Sequence, residues 1–322
     1  MNAFSAQKRQ SKSFVNSAHK SKTSIWKRCW QCRELFLFLL PAFLLILIFN
    51  YFPMYGIVMA FQDFKPALGI DGSPFVGFEH FRRLFQLPAF WSLIWNTVSI
   101  SLLNLVINFP LAVFLALILN QIKHARSKKF IQTITYMPHF ISVVVIVGMI
   151  RILLSPSGGI YGGICNALGV EAINILGKEG AFRWVYVLSD AWQHTGWNSI
   201  IYIAALSGVD QSLYEAATVD GANRLDKIIH IDIPTLIPTM VILLILNTGS
   251  ILGVGFEKIY LMQNGANIAV SEVLSTYIYK LGLQSAQYSF STAVGLFNTM
   301  VNFFFLFVVN QVSKMVSNTS LW

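Results

Sequence analysis

The sequence predicts an all-α fold that crosses a membrane six times, and three observations carry that prediction. Of 322 residues, 55% are hydrophobic and only 11% are charged, and the mean hydropathy is +0.60. A water-soluble domain usually carries about 25% charged residues, so this chain has too few polar groups to face water on all sides. Six segments, at approximately 34–60, 92–120, 130–154, 184–206, 236–255 and 289–312, are long and apolar. Spanning a bilayer takes about 20 helical residues, and each segment meets that length. Strands are excluded at membrane depth unless they close into a barrel, and these runs are too long for barrel strands.

Residues 1–33 hold eight Lys/Arg and no acid. The net charge of +9 therefore gathers before the first span and is not spread over a polar domain. That distribution argues against a nucleic-acid partner and for membrane topology, because cytosolic segments are enriched in Lys/Arg. Cys29 and Cys32 form a lone C-x-x-C in this segment, and Cys165 is the third cysteine. A zinc site needs about four ligands, and no second Cys/His pair of suitable spacing follows. A thioredoxin-like pair would need a soluble α/β setting. Both residues read as ordinary reduced thiols, and no metal site is expected. The first apolar run leads into Asn50-Tyr51-Phe52-Pro53 without a small-residue cleavage site, unlike a signal peptide. The Ser/Lys/Gln-rich residues 5–24 read as a solvated tail, with contact to anionic membrane lipid as the alternative.

Counted along the chain, the segments outside the spans carry 8, 3, 4, 3, 2, 2 and 1 Lys/Arg. Assigning alternate segments to the cytosol puts 15 inside and 8 outside, with both termini cytosolic. The expected division is a basic cytosolic segment 1–33, a transmembrane domain 34–312 with a cytosolic loop 207–235, and a cytosolic tail 313–322. The 207–235 loop fits the charge rule worst. It holds Asp210, Glu215, Asp220, Asp226 and Asp232 against Arg224 and Lys227, which suggests a role beyond topology.

That loop reads as a helix, a turn and a second short helix. Asp210 or Ser212 can cap the first helix, and Leu213, Ala216, Ala217 and Asp220 follow at helical spacing. Gly221 permits a sharp turn that a β-carbon would resist. Pro234 and Pro238 then reset the chain as it enters the membrane. Glu215-Ala216-Ala217, Gly221 after three residues, Ile231 after nine more, then Ile233-Pro234 follow the pattern E-A-A-x3-G-x9-I-x-L-P, with Ile233 in place of Leu. On these residues the chain resembles the permease subunits of bacterial ATP-binding-cassette importers. Phe36–Phe43, Asn50–Tyr55, Phe75–Phe81, Asp190–Leu206 and Val273–Tyr279 extend the resemblance to sugar-importer permeases over nearly all of the chain from residue 34. Within that group the chain resembles the importers of large or acidic oligosaccharides, and specifically the alginate importers of Gram-negative bacteria.

The resemblance implies a six-helix type I importer permease. It implies a homologous second permease, two ATPase subunits that hold Mg-ATP, and an extracytoplasmic solute-binding protein. The 207–235 loop would be the coupling element. Tyr214, Glu215, Ala216, Ala217, Asp220, Gly221, Ala222 and Pro234 would be its contact and turn residues. The implied cargo is an oligosaccharide, acidic in the alginate-like case.

The chain itself has no phosphate cradle: Gly177-Lys178 is followed by Glu179, not Ser or Thr. No cofactor of its own and no catalytic residue are expected. Another solute for the same kind of permease is one alternative. An ion-coupled carrier is the other, and it would call for inverted repeats and deep ionisable relays, of which Asp190 near a helix end is a poor example.

Polar residues inside spans tend to face a bundle interior or cavity. Asn96, Asn104 and Asn108, His194 and Asn198, Asn247, and Asn298 and Asn302 are the candidates for a substrate path, with Trp192 and Trp197 offering flat apolar faces to sugar rings. Helix–helix hydrogen bonding or an aromatic belt is the competing reading for each. Gly249 and Gly253 read as a helix-packing pair. Arg82, Arg83, Arg151, Lys178, Arg183, Lys258 and Lys280 are cations that either draw an acidic sugar or are solvated loop charges.

Overall fold

The computed structural model describes residues 33–249, 251–253 and 255–317. The basic N-terminal segment up to residue 32, with Cys29 and Cys32, lies outside the described residues, as do residues 318–322. Internal contacts distinguish two units that divide between Gly56 and Ile57.

In the first unit, α1 (Arg33–Ile46) passes into a π turn (Leu47–Tyr51), and the 3-10 helix that follows (Phe52–Phe61) contains the division. The run Arg33–Phe61 is 29 residues long. No residue of α1 is buried within the chain.

The second unit contains α2 (Glu79–Gln86), α3 (Phe90–Asn120), α4 (Ala125–Tyr136), α5 (Val143–Leu153), α6 (Ile160–Ala167) and α7 (Glu179–Ser207). It continues with α8 (Gln211–Val219), α9 (Arg224–Lys227), α10 (Ile233–Thr248), α11 (Phe256–Met262), α12 (Leu274–Tyr279) and α13 (Tyr288–Ser317). Among the described residues, the only β pairing is one isolated bridge between Gln62 and Phe75. The all-α expectation holds.

By length and composition, four described helical runs can cross a membrane: Arg33–Phe61, Phe90–Asn120, Arg224–Thr248 and Tyr288–Met315. The other two predicted spans do not pass by that measure. Segment 130–154 is not one straight helix. Ala125–Phe140 and Val143–Leu153 meet at 97°. Pro138 sits in a 3-10 turn, Ile141 and Ser142 are extended, and the Ser142 hydroxyl caps α5 by accepting from Val145 N at 3.4 Å. The break was written in Pro138 and Ser142, but their neighbours' hydropathy masked it. Segment 184–206 lies within the 29-residue α7, which is long enough to cross but less apolar because it carries Asp190, Gln193, His194 and Asn198. The fifth span is displaced: its helical run starts at Arg224 and stops at Thr248 rather than reaching residue 255. The last helix continues past 312 to Ser317.

Helices α3 and α7 form the central pair. Leu103 and Ile107 of α3 meet Phe182, Tyr186 and Val187 of α7 in one apolar cluster, and Ala112, Val113 and Ala116 meet Tyr202, Leu206 and Leu236 in another. On its other side α7 packs on α4 so closely that a β-carbon at Gly196 would collide with the Thr135 carbonyl. Gly249 packs against Leu306 of α13. Gly253 lies beyond the end of α10, so the two glycines do not form one helical packing stripe.

Candidate functional site

A cavity of about 320 Å³ opens between α3, α7, α10 and the segment that follows α10. Its polar wall consists of Ser101, Asn104 and Asn108 from α3, Asp190, His194 and Asn198 from α7, and Asn247 from α10. Phe109, Tyr202, Leu243 and Ile251 add apolar surface, and Gly253 and Gly255 line it with backbone. Asn108 Nδ2 donates to Asn104 Oδ1 at 2.6 Å and to Asp190 Oδ2 at 3.0 Å. Asp190 Oδ1 is 3.3 Å from Lys258 Nζ and 3.7 Å from His194 Nε2. Lys258 is 3% exposed and also reaches Gln193 Oε1 at 3.4 Å. A buried ion must be paired and hydrogen-bonded to be tolerated, and this pair is. The cavity therefore presents amides, an imidazole and a carboxylate whose charge is countered from behind.

Of the sequence candidates, Asn104, Asn108, His194, Asn198 and Asn247 line this one cavity. The other expected path residues do not line this cavity. Trp192 is exposed on α7, and Trp197 stacks on His139 with ring centres 4.4 Å apart. Asn302 Oδ1 accepts from Leu252 N at 2.9 Å and so holds the chain beyond α10. Asn298 has a buried Oδ1 without a hydrogen-bond partner. Asn96 donates to the carbonyls of Ala269 and Glu272 at 2.8 and 3.1 Å and serves packing.

Lys258 was among the cations that either draw an acidic sugar or are solvated loop charges, and its burial excludes the second reading for it. Its position directly before the apolar stretch Ile259-Tyr260-Leu261-Met262 was the available signal. Several of the other cations are engaged. Arg83 reaches Gln287 at 3.0 Å, Arg151 bonds the Leu261 carbonyl, Arg183 reaches Asn96 at 3.1 Å, and Lys280 pairs with Glu272 at 2.7 Å.

The 207–235 loop folds from local rules. Asp210 caps α8 by accepting from Ser212 N at 2.9 Å, and this bond holds its carboxyl below the usual carboxylate range. At the other end Gly221 has φ +82. Ala222 N donates to Ala217 O at 2.9 Å and Gly221 N to Thr218 O at 3.1 Å. These are the paired bonds of a Schellman turn, with glycine in its left-handed position. Asn223 and Asp226 form a reciprocal capping box that starts α9. Glu215 and Ala216 are exposed, whereas Tyr214, Ala217 and Ala222 are half-buried. Pro234 enters α10 at its first turn, where its missing N–H costs least. Asp232 is fully buried beside it, and sequence reading missed it although an acid between Ile231 and Ile233 was a visible oddity.

Residues 108–317 match the family described as binding-protein-dependent transport system inner membrane component. The chain is a permease of this family. It is 45% identical over 284 residues to the polygalacturonan/rhamnogalacturonan transport system permease protein YteP of Bacillus subtilis, covering 88% of each chain. A crystal structure of a bacterial ABC transporter involved in the import of the acidic polysaccharide alginate contains a chain with a TM-score of 0.84 and 38% identity, covering 91% of the permease and 99% of that chain. The same transporter type in complex with a periplasmic protein bound to an alginate pentasaccharide gives 0.84 and 38%, covering 92% and 99%. The permease thus has the type I importer fold, and its family is one of inner-membrane components.

Proposed function

We propose that the permease forms half of the translocation path of an ATP-driven importer for oligosaccharides, acidic ones in particular. One observation carries this reading. The E-A-A…G…I-x-I-P segment folds as a capped helix, a Schellman turn and a second capped helix, leaving Glu215 and Ala216 exposed. In this reading α8 is the coupling helix. Glu215 makes polar contacts in a cleft of an ATPase subunit, Ala216 and Ala217 allow close approach, and Tyr214, Asp220, Gly221, Ala222 and Pro234 shape the element. The remaining parts are a homologous second permease, two ATPase subunits with Mg-ATP, and an extracytoplasmic binding protein that delivers the sugar. Both termini lie in the cytosol, with 15 Lys/Arg on that side against 8 on the other. ATP binding closes the ATPases and moves the coupling helices together, so the cavity opens outward, and hydrolysis returns it inward.

The cavity suits a polyhydroxylated cargo. Asn104, Asn108, Asn198 and Asn247 offer amide donors and acceptors, and His194 adds a ring nitrogen. The acidic character is supported by the polygalacturonan and alginate relatives. It is also compatible with the Lys258 counter-charge, which keeps Asp190 from repelling a carboxylated sugar. The test is ATPase activity of the reconstituted complex with its binding protein and a panel of oligosaccharides. Stimulation by uronate-containing oligomers supports the full reading. Stimulation by neutral oligomers alone retains the importer and removes the acidic clause. Glu215→Lys is expected to lower stimulated ATPase by about tenfold, as loss of one charge-assisted contact would, without changing membrane insertion. Unchanged stimulation in that variant removes α8 as the coupling helix.

A further inference from the structure

Asp232 has no exposed surface. It occupies the free position of the I-x-I-P segment, between Ile231 and Ile233, at the start of α10. Three neutral donors converge on it. The Tyr214 hydroxyl, from α8, donates to Oδ1. Asn120 Nδ2 donates to the same oxygen at 3.3 Å, and Gln121 Nε2 donates to Oδ2 at 2.9 Å. Asn120 is the last residue of α3 and Gln121 is its C-cap. Asn120 Nδ2 also lies 3.4 Å from the Tyr214 oxygen, which closes the cluster. Among the described residues no ion pair reaches Asp232, so the buried carboxylate depends on these donors.

The cluster joins elements that are far apart in sequence. Helix α8 is tied covalently to α7 and, through α9, to α10, but not to α3. Yet α3 carries Asn104 and Asn108 of the cavity wall, and Asn108 lies about 18 Å from Asn120 along the same helix at 1.5 Å per residue, with Pro110 between them. Burial and the bond to Asp232 push the Tyr214 phenol up to about 12, so it stays protonated as a donor at neutral pH. Hydrogen bonds to a carboxylate are shorter and stronger than neutral ones, which suits a joint that must transmit displacement.

We propose that Asp232 is a positioning residue that fastens α8 to the C-terminal end of α3, so that displacement of α8 is delivered directly to the cavity wall bearing Asn104 and Asn108. This rests on the reading of α8 as the coupling helix. In that arrangement Glu215 and Ala216 meet the ATPase on the exposed side of α8, while Tyr214 and Asp232 carry the movement inward on its buried side.

The experiment uses the complete transporter in proteoliposomes, with three readouts: ATPase subunits retained on purification, ATPase stimulated by loaded binding protein, and sugar uptake per ATP. Asp232→Asn turns one acceptor into a donor facing other donors. It is expected to retain the ATPase subunits and to lose about tenfold in stimulated ATPase and uptake, the order set by one hydrogen bond to a charged group. Tyr214→Phe and Gln121→Leu remove single donors and keep the carboxylate, with an expected loss of about threefold each. Combined with Asp232→Asn, Tyr214→Phe should add no further loss, because both break one joint. A general loss of fold would give additive effects instead.

If Asp232→Asn protein does not accumulate, Tyr214→Phe and Gln121→Leu carry the test alone. Wild-type stimulation and uptake per ATP in all of these variants overturns the joint while leaving α8 as coupling helix. Strictly additive losses overturn it too. Wild-type behaviour of Glu215→Lys in the same assay instead removes the reading on which the joint rests.

Discussion

The stretch from Asp210 to Asp226 takes its shape from residues within a few positions of one another, whereas the cavity gathers residues from Ser101 to Gly255 across three helices and a connecting segment. In the loop a cap, a left-handed glycine and a capping box each satisfy backbone groups locally. In the cavity the same requirement is met at long range, with Asn108 bonding across to Asp190 and Lys258 reaching in from α11. The loop should therefore fail locally and the cavity globally. Substitutions in the two regions should separate thermal stability from coupling.

The largest effect is expected at Lys258. Lys258→Met removes the counter-ion of Asp190 and leaves it only Asn108 and His194, and breaking a buried pair costs up to roughly 3–5 kcal/mol. Detergent-solubilised permease should melt at a clearly lower temperature, and adding Asp190→Asn should recover much of the loss. Equal melting of the single and double variants would break the contrast. Next, Gly196→Leu drives a side chain into the Thr135 carbonyl, and overpacking of this kind costs about 1–3 kcal/mol. Melting temperature and expression should both fall.

Gly221→Val forces a β-branched residue into the left-handed region, at about 1–2 kcal/mol. That strain lies in an exposed turn, so stimulated ATPase should fall several-fold while the melting temperature of the permease barely moves. A global drop would mean the turn is part of the core. The smallest effect is expected for Asp210→Ala, which removes the α8 cap but leaves the Schellman turn. Stimulated ATPase should fall no more than about threefold. Because the Asp210 carboxyl titrates below its usual value, the cap is complete above the ordinary carboxylate pKa and is lost as pH falls through its lowered one. Mild acidification should therefore not mimic the substitution.

What could be read from the sequence follows the same division. The loop was legible because glycine, proline and capping residues act on their own neighbourhood, and Asp210, Gly221 and Pro234 all sit where those rules put them. Long apolar runs revealed most spans for a similar reason. The cavity was half legible: Asn104, His194, Asn198 and Asn247 are polar residues in apolar runs and do face one space. Asn302 has the same signature, yet its amide holds the backbone at Leu252, and Trp192 is turned outward. Hydropathy marks a polar residue in a helix but not the direction it faces once six helices pack. Lys258 and Asp232 were harder still, because their partners lie far away in the chain. The bend in 130–154 was lost because apolar neighbours outweighed Pro138.

That bend has a consequence for how the chain is solvated. A straight helix supplies partners for its own amides, while a 97° corner leaves several of them without one. Here the corner is hydrated by protein. The Ser142 hydroxyl takes the Val145 amide, Ile141 N turns back to the Pro138 carbonyl, and Gln193 of α7 donates to the Ile141 carbonyl at 3.4 Å. The same Gln193 accepts from Lys258 with its other atom. One glutamine thus stands in for a water molecule at the corner and for a counter-dipole beside the buried charge. Any rearrangement that draws α7 away from the corner also strips its substitute water.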